Sequence, residues 1–196
     1  MNGASSFALH LLRHGEPEGA GRLIGATDAT PTPAGLSACV DQGRDLGAEV
    51  LIASDLSRAR LAGEAIASET GVPLSIDPRW RELDFGTWDG LAPGDVDGAA
   101  LARFWDDPDA YAPPEAETWS TLVRRVGSAI GSLAVRPTLV VTHGGAMRAA
   151  LAVLCGFGQR QTWALDLPYG CVLSLRVWPG DGAGQQPAAQ IARLYP

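Results

Sequence analysis

The stretch "FALHLLRHG", residues Phe7 to Gly15, decides how the chain is read. Phe7–Leu12 is an apolar run of strand length. It ends in Arg13-His14-Gly15, a cation and an imidazole side by side where the chain passes into a loop. Arginine beside histidine is an odd choice for a purely structural turn, so the rest of the sequence has to account for the pair. Four more runs are short and branched enough for strands: Val50–Ala53, Leu74–Ile76, Thr138–Thr142 and Val172–Val177. Helical patterns separate them. Thr32-Pro33 reads as an N-cap followed by proline at the first helical position, and predicts a helix to about Leu46. Leu56, Ala59, Ala62, Ala65 and Ile66 recur at helical spacing and predict a second helix from about Leu56 to Glu69, with Gly71 just past its end. Glu117 to Leu133 and Gly145 to Leu154 are further helix candidates. The alternation predicts an α/β fold: a three-layer sandwich with a mainly parallel central sheet and helices on both faces.

A chain of 196 residues predicts one domain with a sizeable core. Residues 87–114 are richer in Gly, Pro and Asp and interrupt the alternation. They predict a loop-rich insertion over one end of the sheet, with a short helix near Ala99–Trp105, suited to a lid or a substrate wall. "GDGAGQQPAAQ", Gly180 to Gln190, is turn-like, and its neighbours suit a terminal hairpin.

Composition narrows the function. The chain is 46% hydrophobic and 19% charged, which is globular and not disordered. Fifteen basic residues, all arginine, face twenty-two acids, for a net charge of −7. That argues against general binding to nucleic acid, which needs a basic face. It leaves room for a small anion. An arginine about 4 Å from a phosphate oxygen gains on the order of 4 kcal/mol at an effective dielectric of about 20. Distant carboxylates are screened over about 8 Å at physiological salt. The absence of lysine removes Schiff-base and Walker-type chemistry. Cys39, Cys155 and Cys171 are widely spaced with no CxxC pair, which predicts reduced thiols. No apolar run has the length of a membrane span, and the first residues lack a basic n-region, so a cytoplasmic location with no membrane partner is expected.

In such sheets, ligands bind beyond the carboxyl ends of the strands. Arg13-His14 lies at one such end. "VVTHGGAMR" puts His143 at another, with Gly144 and Gly145 leading into a helix whose free N–H groups favour an anion. "IASDLSRAR" brings Arg58 to a helix start after a third strand, and "RELDFGTWDG" places Glu82 in the loop after the Leu74–Ile76 run. Each has a plainer reading. An RHG triplet recurs by chance, and a lone histidine is more often structural. Arg58 could cover a helix end, with Arg60 an ordinary surface charge, and Glu82 could simply pair with Arg81. The signal is the convergence of two histidines, two arginines and one carboxylate where separate strands finish.

Taken in order, "LLRHGE", "GATDATPTPAG", "IASDLSRA", "RELDFGTWDG" and "VVTHGGAMR" resemble the histidine phosphatase superfamily, the phosphoglycerate-mutase-like group, over most of the chain. Within it the sequence looks most like the α-ribazole phosphatase-type branch. The resemblance implies a metal-independent phosphomonoesterase with no cofactor, acting on a small phosphorylated metabolite, α-ribazole 5'-phosphate being one candidate. It implies His14 as the nucleophile, Arg13 and Arg58 as a clamp on the phosphoryl oxygens, and His143 as a second pocket histidine that stabilises the transferring group. Glu82 would protonate the leaving oxygen and then deprotonate water. Backbone at Gly144 would complete an oxyanion cradle, and the loop before Gly25 would contribute a phosphate contact at Gly25. The sequence departs from the family pattern at Ala20, where members often carry asparagine, at Ala62 in place of a frequent threonine, and at Ala116 before Glu117-Thr118, where relatives show Gly-Glu-Ser.

A mutase acting on phosphoglycerate is the nearest alternative. The segment "LAPGDVDGAALARFWDDPDAYAPPEAET" has one arginine and many carboxylates, which favours the phosphatase. A non-catalytic phosphate-binding module is the alternative of a different class. Other chemistries fail on spacing. His14-Gly15-Glu16 fits half of a zinc deaminase motif with no P-C-x-x-C after it. "CGFGQR", Cys155 to Arg160, is one residue short of a cysteine-phosphatase loop. A metal held by His14, His143 and Glu82 would meet repulsion from the paired arginines. The spacing leaves oligomeric state open.

Overall fold

A computed structural model describes residues 5–180 and 186–195. Six strands form one sheet, β1 (Phe7–Arg13), β2 (Val50–Ala53), β3 (Leu74–Ile76), β4 (Thr138–Thr142), β5 (Val172–Trp178) and β6 (Ala188–Tyr195), in the order β3-β2-β4-β1-β5-β6. The four strands from β3 to β1 run parallel, while β5 and β6 are antiparallel additions. Side chains alternate across the sheet as a two-residue period requires. Leu9, Leu11 and Val140 join one core, and Leu12, Leu139 and Val141 join the other. Helices α1 (Pro33–Gly43) and α2 (Ser57–Thr70) cover the second face. α4 (Trp119–Gly131) and α5 (Gly144–Cys155) cover the first. This is the expected three-layer α/β sandwich.

Local chemistry sets the element ends. The Thr32 side chain accepts from the Gly35 N–H and Pro33 occupies the first turn, so α1 begins where that pair dictates. It ends at Gly43, three residues before the expected Leu46, with the Arg44 N–H closing the last turn on the Val40 carbonyl; Gly43 itself packs against α2, where a Cβ would stand 2.7 Å from Ile66 Cδ1. Gly71, at φ 72°, terminates α2 in the left-handed conformation. The expected hairpin is β5 with β6; residues 181–185 of its turn-like segment lie outside the described residues. The insertion contains α3 (Gly98–Asp106), close to the expected span. A five-residue helix, α6 (Gln159–Trp163), was not expected from periodicity, being too short to have one.

One close approach fixes the loop after β1. A Cβ on Gly15 would meet the Gly35 carbonyl oxygen at 1.9 Å, and a Cβ on Gly35 would meet Glu16 N and O at 2.5 Å. Backbone lies directly on backbone here, and the Thr32 N–H donates to the Glu16 carbonyl beside it at 2.9 Å. The start of α1 is thereby pressed onto Gly15, the residue that follows His14. Gly35→Ala should cost about 2–3 kcal/mol or more, the scale for overpacking against groups that cannot yield. A lowered urea midpoint with an unchanged m-value would register it, and an unshifted midpoint would show that the two segments part easily.

Candidate active site

Parallel pairing delivers the site residues to one edge. Arg13 stands opposite Thr142 in register, and the His14 N–H donates to the Thr142 carbonyl at 2.8 Å. The residue after each strand end, His14 or His143, is thereby set beside the other, with ring centroids 5.0 Å apart, edge to face. His14 Nδ1 lies 2.7 Å from the Gly15 carbonyl oxygen. A carbonyl can only accept, so Nδ1 carries the hydrogen and Nε2 keeps its lone pair. Burial first, then the Arg58 guanidinium, holds the His14 pKa well below its ordinary 6.5, against a smaller upward pull from the Gly15 carbonyl. Burial, then His14 and Arg58, does the same to His143. Both imidazoles are therefore neutral at pH 7. His143 is fully buried, and neither of its ring nitrogens has a hydrogen-bond partner among the described residues.

A cavity of about 250 Å³ opens over this edge. Arg13, His14, Arg58, Glu82 and Gly144 line it, whereas His143 and Gly25 are not among the lining residues. Arg58, one residue into α2, is 1% exposed. Its NH1 donates to the Thr27 carbonyl at 2.7 Å, and its NH2 to the carbonyls of Gly25 at 2.8 Å and Ile24 at 3.2 Å. A guanidinium has five N–H groups, so two remain, and one of them is the unpartnered Nε–H. Burial lowers the Arg58 pKa, with Glu82, Asp28 and Asp89 opposing. Arg13 lies with its guanidinium carbon 4.0 Å from the Tyr169 ring centre and donates from NH1 to the Leu167 carbonyl. Its Nε is also unpartnered.

Glu82 is fixed at backbone and carboxylate. Oε1 accepts from the N–H groups of Leu83 at 2.8 Å and Gly145 at 2.9 Å. Arg125 donates to the carbonyls of Arg79, Arg81 and Glu82, and is itself held by the Glu117 carboxylate at 2.6 Å. Arg81 turns away from Glu82 and pairs with Asp55. Arg60 pairs with Glu64 on the surface of α2.

The cavity has walls that the sequence reading only partly anticipated. Trp105 and Trp119 line it, whereas Phe104 and Trp88 pack with Phe85 in the core. Phe85, Trp163, Tyr169, Arg22 and Arg148 were not foreseen as lining residues. Arg148, from α5, stacks 4.3 Å over the Trp163 ring centre and donates to the carbonyls of Gly144 and Leu165. Gly145 was foreseen only as part of a glycine pair. A Cβ there would come within 2.1 Å of Glu82 Oε1, so glycine is what allows that carboxylate to reach its amide. Gly25 touches Arg58 and not the cavity: its carbonyl accepts from the guanidinium, and its N–H donates to Asp89 Oδ2 at 2.9 Å. Among the described residues, no group of three or more His, Cys, Asp or Glu side chains is placed to hold a metal ion, and no helix is long and apolar enough to cross a membrane.

The sequence profile of the histidine phosphatase superfamily, branch 1, matches residues 9–187. The glucosyl-3-phosphoglycerate phosphatase of Mycolicibacterium vanbaalenii is 31% identical over 166 residues, which cover 76% of this chain and 74% of that protein. The protein named "Probable phosphoglycerate mutase GpmB" in Erwinia tasmaniensis is 31% identical over 163 residues, with the same coverage. The solved structure of the α-ribazole phosphatase from Shigella flexneri shares the fold, with a TM-score of 0.77 at 21% identity over 94% of this chain and 95% of that one. The chain belongs to the histidine phosphatase superfamily, branch 1.

Two neutral buried imidazoles make stability depend on pH. Folded pKa values lie below the unfolded value near 6.5, so the unfolded chain takes up protons first as the pH falls. Stability is complete above about pH 6.5 and is lost as the pH drops towards the folded values, by up to about 1.4 kcal/mol per pH unit for each histidine. Urea midpoints between pH 7 and pH 5 should fall less steeply for His143→Gln than for the wild type, and parallel slopes would contradict this account.

Proposed function

We propose that the protein is a phosphomonoester hydrolase working through a phosphohistidine on His14. The observation that carries this reading is the pinned imidazole: with Nδ1–H committed to the Gly15 carbonyl, the Nε2 lone pair belongs to a cavity-lining residue flanked by two guanidinium groups. Nε2 attacks phosphorus and the bond to the leaving oxygen breaks, with Arg13 and the two uncommitted N–H groups of Arg58 bearing the charge on the phosphoryl oxygens. A phosphoryl oxygen reaching the edge of the His143 ring would accept from its single N–H, and this reading therefore gives His143 the role of stabilising the transferring group. Gly144, opening α5 at the cavity wall, presents the positive end of that helix to the same charge. Glu82 gives a proton to the leaving oxygen and then takes one from the water that releases phosphate. Arginine, imidazole and peptide dipoles supply the positive field, so the reaction is read as needing neither metal nor cofactor.

Hydrolysis is preferred to phosphoglycerate mutation because the cations of the cavity, Arg13, Arg22, Arg58 and Arg148, all come from outside the insertion. The insertion's own Arg103 lies against Tyr111 instead, with the guanidinium carbon 5.8 Å from the ring centre. No added charge closes the site against water, which a mutase must exclude. The walls of Phe85, Trp105, Trp119, Trp163 and Tyr169 suit a leaving group with a flat apolar face. α-Ribazole 5'-phosphate, glucosyl-3-phosphoglycerate and simpler phosphomonoesters all belong in the test panel. Cytoplasmic action on such soluble metabolites, without nucleic acid or membrane, fits a chain of net charge −7.

Incubation with a 32P-labelled phosphomonoester and an alkaline quench should leave label on His14 and none in His14→Ala. Tight phosphate binding without an adduct would instead mark a binding module. Given 3-phosphoglycerate and its bisphosphate primer, the enzyme should release phosphate faster than it isomerises, and the reverse order would make it a mutase. Glu82→Gln should slow alkyl phosphates by about 10²–10⁴-fold, the range for a lost general acid, but an aryl phosphate with a good leaving group far less. Equal slowing of both would remove Glu82 from that role.

A further inference from the structure

We propose that Asp89 is a positioning residue for the phosphate clamp, holding Arg58 through the loop that lies between them. The inference rests on Arg58 being the clamp, as the hydrolase reading has it. One carboxylate gathers a whole loop: Asp89 Oδ2 accepts from the N–H groups of Gly25 at 2.9 Å and Ala26 at 2.7 Å, and Oδ1 accepts from the N–H of Thr27 at 2.9 Å and from its hydroxyl. The opposite side of the same loop faces the guanidinium. The carbonyls of Ile24, Gly25 and Thr27 take three of the five Arg58 N–H groups.

The peptide groups joining Ile24 to Gly25 and Gly25 to Ala26 thus each donate their N–H to an anion at one end and offer their carbonyl to a cation at the other. Their peptide dipoles line up between Asp89 and Arg58, so each charge polarises the loop in the sense that strengthens the other's hydrogen bonds. Without the carboxylate, converging N–H groups would repel one another and the loop would have no reason to keep its carbonyls aimed at Arg58. That aim matters for chemistry. It decides which two N–H groups are left over, and it fixes a long, flexible side chain at the phosphoryl position without a salt bridge that would neutralise it. Packing agrees: a Cβ on Gly25 would meet Asp89 Oδ2 at 2.7 Å and the Leu83 carbonyl at 2.2 Å, so the glycine admits the carboxylate. Asp28, next along, anchors the far end of the loop on α2, accepting from the Ser57 N–H at 2.6 Å and hydroxyl at 2.9 Å. Asp89 itself opens the insertion, so the segment that walls the cavity also sets its arginine.

Asp89→Asn keeps the size of the side chain but turns an NH2 towards N–H donors. It should lower kcat/KM on an aryl phosphate on the order of 10- to 100-fold, the loss expected when a clamp shifts by about 1 Å. Affinity for orthovanadate and for inorganic phosphate, measured calorimetrically, should weaken in parallel. The decisive arm is the double variant. Since Asp89 acts through Arg58, Asp89→Asn in an Arg58→Ala background should cost less than about 2-fold further. Full additivity of the two losses, or an unaltered phosphate affinity in Asp89→Asn, would overturn the proposal. Should Asp89→Asn not fold, Thr27→Ala removes one of the four donors and leaves the amides in place. Its smaller loss should likewise vanish in the Arg58→Ala background, and additivity there overturns the proposal equally. A wild-type protein that binds phosphate but releases none from any ester would refute the hydrolase reading alone, since the calorimetric arm tests the clamp without turnover.

Discussion

The parallel pairing of β1 with β4 is the constraint on which the site depends. Because Arg13 stands level with Thr142 and the ladder runs one bond further, from the His14 N–H to the Thr142 carbonyl, the residues just past the two strands cannot be far apart. Antiparallel strands would have sent these two ends to opposite edges. β2 and β3 continue the parallel order, so the chain reverses at the same edge four times, carrying Arg13, Arg58, Glu82 and His143 there in turn. The antiparallel β5 adds a different kind of support. Its preceding segment, Leu167 to Cys171, supplies the carbonyl that holds Arg13 and the Tyr169 ring that lies under it.

Burying this much positive charge is costly, and the protein meets the cost mostly with carbonyls. Arg58 is almost wholly enclosed, yet among the described residues no carboxylate pairs with its guanidinium; three peptide oxygens do. Arg13 and Arg148 are treated the same way, each with carbonyl partners and an aromatic ring face. Carbonyl solvation stabilises a cation without cancelling it. Arg125, which only holds the backbone near Glu82, is by contrast paired directly with Glu117. The distinction separates arginines that face the cavity from one that braces its frame.

Much of this was legible in the sequence because it follows from short-range rules. Strand runs, the Thr32-Pro33 cap and the glycine after α2 are local signals, and each landed within a few residues of its element. The charged residues of the site were legible for a different reason: they stand at strand ends, and an open parallel sheet sends those ends to one edge. What stayed hidden depends on contacts across long stretches of chain. Nothing near Asp89 announces that its carboxylate will cap a loop some sixty residues earlier. Trp163 sits on a helix too short to show a period, and Tyr169 in an irregular segment. Gly25 was legible as a special position, but its partners, a carboxylate and a guanidinium, were not. Phe104 and Trp105 are neighbours, and only packing decides that one fills the core while the other borders the cavity.

The mouth of the cavity is joined by side chains instead of main chain. Trp105 of α3 meets Trp163 of α6 edge to face, with ring centroids 5.0 Å apart, and the Arg160–Asp106 ion pair beside them is too exposed to add much. None of these groups takes part in holding His14, Arg58 or Glu82. A smaller residue at Trp105 would reshape this rim without removing any hydrogen bond given above for His14, Arg58 or Glu82, whereas one at Trp163 would also take the ring from beneath Arg148.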